Sequence, residues 1–188
     1  MKRYGGKLTI LLGSIISLCW LMNGCVKIAE GIPDGIKPVT NFKKDKYLGK
    51  WYEIARLDNK FEHGLSEVSA EYSARSDGGI KVLNRGYNAV DGEWKDAEGK
   101  AYFVGSDDIG HLKVSFFGPF YGSYVVFELA DGNYEHAYVT SYKKEMLWLL
   151  SRTPNITDEE KQRFIDRVRQ DGFSAEELIF VEHGKVKE

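Results

Sequence analysis

The sequence predicts a mainly β domain: an eight-stranded antiparallel up-and-down barrel with one C-terminal α-helix on its wall and a short final strand. Three observations predict it. Segments of alternating polarity recur at hairpin spacing through the middle of the chain, separated by short glycine-bearing turns. The 188 residues hold only two cysteines, Cys19 and Cys25, with 43% hydrophobic and 13% aromatic residues, so a continuous apolar core and not disulfides must hold the domain together. A meander that long usually closes on itself, because closure removes its exposed edges.

The first strand is the β-rich run 51–57, entered from one helical turn at 45–49 that Gly49 stops. The second shows the cleanest period of two, with Val68, Ala70, Tyr72 and Ala74 alternating against Ser69, Glu71, Ser73 and Arg75. Asp77-Gly78-Gly79 turns the chain into strand 80–90, and Asp91-Gly92 turns it into 93–105. The turn 107–110 leads to Leu112, Val114 and Phe116, and three more strands follow Gly118-Pro119 at 124–129, 134–142 and 145–152. Thr157 then reads as a helix N-cap with Glu160 in capping-box position; Phe164, Ile165 and Val168 form a narrow apolar stripe, and Gly172 terminates the helix. The last β-like segment is 178–181.

Ahead of the domain, Lys2, Arg3 and Lys7 precede an apolar run from residue 8 to 22, too short for a comfortable membrane span and typical of a secretory signal. The run ends in Leu21-Met22-Asn23-Gly24-Cys25, which resembles the lipobox at which a lipoprotein signal peptide is cut before a diacylated cysteine. Bulky Leu18 disqualifies Cys19. The expected organisation is a cleaved signal at 1–24, a lipidated irregular arm at 25–44, the barrel domain at 45–182 and a charged, fraying tail at 183–188. Cys25 would carry diacylglycerol and a fatty acid; Val26 after it favours the outer membrane of a Gram-negative host and a periplasm-facing barrel. Cleavage leaves 23 basic against 28 acidic residues, a net charge of −5 that suits no nucleic-acid partner. With Cys25 lipidated no thiol nucleophile remains, the four histidines lack metal-ligand spacing, and no nucleophile elbow or phosphate loop occurs, so neither an enzyme nor a resident cofactor is expected.

Tyr47-Leu48-Gly49-Lys50-Trp51-Tyr52-Glu53-Ile54-Ala55-Arg56 resembles the first signature of the lipocalin family, whose core is Gly-x-Trp on the first strand. The segments 61–65, 117–120 and 147–154 are similar to the bacterial lipocalins and the related apolipoprotein D, so the resemblance covers about residues 40–182. It departs at Thr140-Ser141-Tyr142, where the family commonly has Thr-Asp-Tyr. The resemblance implies that Arg152 crosses the closed end of the barrel over the ring of Trp51, a contact worth roughly 1 to 2 kcal/mol when desolvated.

An eight-stranded barrel either encloses one small ligand or is filled by side chains. Small Ala55, Ala70 and Ala74 at inward-reading positions, among Tyr72, Val82, Val114, Phe116, Val126 and Tyr138, predict an apolar cavity, with Asn84 and tyrosines meeting a polar head group. Burying ten methylenes at about 0.8 kcal/mol each offers roughly 8 kcal/mol before entropy costs, enough for an acyl chain. The resemblance implies a carrier of fatty acids such as palmitate, or of lysophospholipids, serving membrane maintenance under stress. A planar ligand such as a tetrapyrrole or sterol is the alternative. The aromatic run Phe116, Phe117, Phe120, Tyr121 and Tyr124 surrounds a Gly-Pro loop and is expected to contact a membrane, a second barrel in a homodimer, or its own rim.

Overall fold

The computed structural model describes residues 31–186, so Cys25 and the signal segment lie outside the described residues. A helical turn α1 (Lys44–Tyr47) leads into β1 (Gly49–Leu57), followed by β2 (Leu65–Ala74), β3 (Ile80–Asn88), β4 (Glu93–Phe103), β5 (His111–Ser115), β6 (Gly122–Leu129), β7 (His136–Thr140) and β8 (Leu147–Ser151). The helix α2 (Asp158–Gln170) and β9 (Leu178–Phe180) complete the chain. Sequential strands pair antiparallel, and β1 pairs with both β2 and β8, which closes the barrel; β9 pairs with residues 55–57 of β1 on the edge that β2, paired at 49–52, leaves free. Loops 58–64, 89–92, 116–121 and 141–146 therefore share one end, the mouth. The opposite end is closed by α1 and the chain leading to it.

Of three register shifts in the barrel ladder, in β1, β2 and β6, the first and last redirect residues that the sequence singled out. In β1, Glu53 pairs with Leu150 and Ala55 with Leu149, so Ile54 is an extra residue in the ladder. Beyond it the alternation flips. Ile54, Ala55 and Leu57 join the apolar cluster beneath α2, and the inward position passes to Arg56. In β6 the register shifts between Val126 and Glu128, putting Phe127 and Glu128 both on the outer face, where Phe127 stacks on Phe173 at 5.7 Å and Glu128 pairs with Arg167 of α2.

Helix α2 is built as its sequence reads. Thr157 accepts the Glu160 N–H at 3.2 Å, while the Glu160 carboxylate turns to His136 on β7 and ties the helix start to the wall. At the other end, Gly172 at φ +79° lets its N–H reach Arg169 O and the Phe173 N–H reach Val168 O, a Schellman termination. Phe164 and Val168 are fully buried, with Phe164 edge-on to Tyr138 at 4.8 Å.

Residues 36–42 and 183–186, which flank the barrel strands, are more firmly held than expected. Within the arm, Ile36 and Phe42 are buried; Val39 exchanges backbone hydrogen bonds with Val126 and Gly110, and Thr40 bridges Ile109. The expected irregular arm is thus irregular but docked over this stretch, held by apolar side chains and by backbone of Ile109 and Gly110 before β5 and of Val126 in β6. The tail does not fray at its start either. Glu67 accepts the backbone N–H groups of Gly184, Lys185 and Val186, and His183 bonds the Glu53 carbonyl at 2.7 Å.

Candidate ligand-binding site

The closed end is made by one left-handed glycine and one cation. Gly49 adopts φ +93°, a left-handed conformation that a side chain would strain, and this turns the chain so that Trp51 enters the barrel. Trp51 is fully buried and its indole donates to Tyr47 O at 2.8 Å. The Arg152 guanidinium lies 3.8 Å from the Trp51 ring centre and donates to the carbonyls of Lys46, Lys50 and Tyr134 at 2.6, 3.0 and 3.3 Å. Backbone carbonyls thus hold the cation, which forms no salt bridge among the described residues. Tyr134, expected in a strand, instead turns at φ +57° into this cluster, and its hydroxyl accepts the Lys43 N–H.

Above this plug lies a cavity of about 600 Å³, open at the mouth. That is within the usual range for small-molecule sites. Its floor is a chain of three phenols: Tyr124 bonds Tyr47 at 2.7 Å and Tyr72 at 2.9 Å. Burial pushes all three hydroxyls up from their ordinary range, so they stay neutral. Three O–H groups sharing two hydrogen bonds leave one donor to spare.

The walls bring together most of the residues that the sequence singled out. Ala70, Tyr72, Val82, Asn84, Val114 and Phe116 line the cavity. Three do not, and each is corrected. Ala55 faces the helix because of the Ile54 bulge. Tyr138 lies one position out of phase: on β7 it is Ala137 and Val139 that join the interior cluster, while Tyr138 packs on Phe164. Val126 points inward but belongs to the packed cluster with Trp51 and Leu112 and does not reach the cavity. Ala74, another inward expectation, is exposed at the end of β2.

Sequence reasoning missed a buried ionic group toward the mouth. Arg56 and Glu53 are almost fully buried and bonded at 2.7 Å; Arg56 also donates to the carbonyls of Glu62 and Leu65 and so holds loop 58–64 in place. The Glu62 carboxylate accepts from Trp148 Nε1 at 2.8 Å and from Asn59 at 2.6 Å. Burial pushes the Glu53 carboxyl well up, neighbouring Glu62 adds to the rise, and Arg56 opposes it. Glu53, Glu62 and Trp148 all face the cavity. The signal was present in the signature itself, where a strict alternation makes Arg56 an outward residue and only a bulge turns it in. Nearby, Asn84 Oδ1 is buried without a hydrogen-bond partner among the described residues. Where the family's aspartate is absent, Ser141 donates to Ser123 O at 2.6 Å and Thr140 to Met146 O at 2.7 Å, so hydroxyls brace that mouth loop.

A closed-bottomed antiparallel barrel with an apolar interior and one open mouth defines a calyx-type binder of small hydrophobic molecules. Residues 42–183 match the family described as "Lipocalin-like domain", and the chain belongs to the lipocalin family. It is 57% identical over 162 residues to outer membrane lipoprotein Blc of Vibrio cholerae, covering 86% of this chain and 92% of that one. With outer membrane lipoprotein Blc of Escherichia coli K12 it shares 51% identity over 150 residues, 80% of this chain and 84% of the relative. Apolipoprotein D of Macaca fascicularis is more distant, 34% identical over 126 residues covering 63% and 65%. Among solved structures, insecticyanin of the tobacco hornworm Manduca sexta superposes with a TM-score of 0.64 over 82% of this chain and 88% of its own at 20% identity, which is a likeness of fold.

Proposed function

We propose that this lipocalin is anchored in the outer membrane through lipid on Cys25 and that it stores or carries fatty acids or lysophospholipids for membrane maintenance. The observation that carries the reading is the cavity: about 600 Å³ of mostly apolar wall above a neutral phenol floor, reached from one end only. Such a shape takes one flexible chain lengthwise, with methylenes against Val82, Val114 and Phe116. Polar atoms of the ligand meet the spare tyrosine donor or the unpartnered Asn84 oxygen. The likeness to two proteins named outer membrane lipoprotein Blc supports the location, and the lipobox-like segment supports the anchor. Every role invoked is binding, and the lipocalin family consists of binding and transport proteins.

Native mass spectrometry of the unlipidated chain from residue 26 onward tests the reading. The expected spectrum shows the protein carrying one single-chain lipid, and palmitate is expected to quench tryptophan fluorescence, since Trp148 lines the cavity. A ligand-free spectrum with no quenching would overturn the carrier reading in favour of a scaffold, and visible absorbance in the purified protein would shift it to a tetrapyrrole-like ligand.

A further inference from the structure

Among the described residues, every ionisable side chain on the cavity wall other than a tyrosine, namely Glu53, Lys60, Glu62, Arg85, Lys95 and Asp96, stands on the mouth side of Tyr72. The floor carries polarity of a different kind. Tyr47, Tyr124 and Tyr72 bond one another in a row, at 2.7 and 2.9 Å, and no hydroxyl of the three bonds another group among the described residues. Two bonds use two O–H groups however the protons are arranged, so one phenol always keeps a donor over. The row shares the cavity wall and one apolar cluster with Ile80, Val82, Leu112 and Val139, whose side chains offer no acceptor and whose backbone is paired in the sheet.

We propose that this floor selects acyl chains that bear an oxygen at the end remote from the head group, the spare phenol O–H donating to an ω-hydroxyl or ω-carbonyl oxygen. The inference rests on the carrier reading for a chain that enters the cavity lengthwise, and it narrows that chain to one chemical class. A methyl end lying on the row leaves a buried donor unmet, whereas an oxygen accepts it, and a hydroxyl also donates back to a phenol oxygen. A site built with such a donor discriminates against the analogue that lacks the acceptor. The depth suits this arrangement. Seven residues of β2 separate Leu65 at the mouth from Tyr72 at the floor, roughly 23 Å along the strand and, at a barrel tilt of about 40°, roughly 18 Å along the axis. A head group held among the charged side chains of the mouth therefore leaves the far end of a long chain at the phenols. The reverse orientation is disfavoured. Arg152, the cation that acts electrostatically on Tyr47 and Tyr72, is bonded to three carbonyls and does not line the cavity, so an ionised carboxylate at the floor would be buried without a counter-charge.

Removing the donor takes three substitutions, because two phenols in a row still share one bond and keep one O–H over. Tyr47→Phe, Tyr72→Phe and Tyr124→Phe together remove it, and they strand no partner because the three hydroxyls bond each other. Palmitate and 16-hydroxypalmitate are titrated calorimetrically into the unlipidated chain from residue 26 onward, as wild type and as the triple variant. The affinity for 16-hydroxypalmitate relative to palmitate is expected to be about tenfold higher in the wild type than in the variant, with palmitate itself bound more tightly by the variant. A crystal structure of the wild-type complex, which needs no variant to fold, is expected to place the terminal oxygen of 16-hydroxypalmitate within hydrogen-bond distance of a Tyr47, Tyr72 or Tyr124 hydroxyl. An unchanged ratio, a variant that loses both ligands alike, or a terminal oxygen at the mouth would each overturn the inference while the carrier reading stands. No binding of either chain to the wild type would overturn both.

Discussion

The two ends of the barrel are built on opposite terms. At the closed end the polar groups of the plug have partners within the chain: the Trp51 indole, the Arg152 guanidinium and the Tyr134 hydroxyl all end on backbone. Toward the mouth, Arg56 Nε and Asn84 Oδ1 are buried without partners among the described residues, the Glu62 carboxylate crowds that of Glu53, and aromatic side chains stand in solvent. Satisfied groups stabilise a unique structure, whereas unsatisfied ones keep free energy available for something that arrives later. The contrast assigns stability to the closed end and recognition to the mouth.

Trp51→Ala tests the first half with the largest expected effect. It empties the fully buried plug and removes the surface on which Arg152 rests, so a loss of about 3 to 5 kcal/mol is expected in chemical denaturation. A loss below about 1 kcal/mol would show that the closed end does not carry the fold. Arg152→Ala comes next, with about 2 kcal/mol expected, because three charge-assisted bonds to carbonyls and the indole contact go together. Arg152→Lys keeps the charge but not the planar fork, and should recover less than half of that loss.

This end was also the legible one. Gly49, Trp51 and Arg152 sit in sequence-local signatures, and their roles depend on identity more than on fine register. The eight strands and the helix were legible for a similar reason: turn glycines, period-two runs and the Thr157 cap are local signals. The mouth half of the cavity was not. Ala55 was misplaced and Arg56 overlooked because one extra residue at Ile54 reverses every later side chain in the strand, and nothing in a run of apolar residues marks which one is extra. Tyr138 failed because both faces of β7 are buried, one by the barrel interior and one by α2, so its polarity pattern carries no phase.

Glu53→Gln probes the mouth by pH. Burial holds the Glu53 carboxyl above its unfolded value of about 4.3, so the folded state binds the proton more tightly than the unfolded chain does. Its contribution is then fully present below that unfolded value and is lost as pH rises through the raised one. Denaturation midpoints of the wild type should therefore fall as pH rises above that unfolded value, beyond what the exposed groups produce, and Glu53→Gln should flatten that slope. A variant with the same slope as the wild type would mean that the carboxylate stays fully ionised against Arg56, and that the mouth is as well satisfied as the closed end.

Asn84→Leu should have the smallest effect on stability and is the sharpest test of the contrast. At the closed end, removing a polar group strands its partner and costs free energy. Asn84 Oδ1 has no partner to strand among the described residues, so replacing it with an apolar group of similar size should leave stability within about 0.5 kcal/mol of the wild type. If the oxygen instead waits for a ligand's hydroxyl or amide, the loss appears only in binding: the variant should hold a plain fatty acid as before and a lysophospholipid with its glycerol hydroxyl several-fold more weakly. Equal affinities for both lipids would make Asn84 a tolerated flaw in the wall. A large stability loss would mean that it has a structural partner after all, and that the division between a self-satisfied end and a ligand-satisfied end is drawn at the wrong residue.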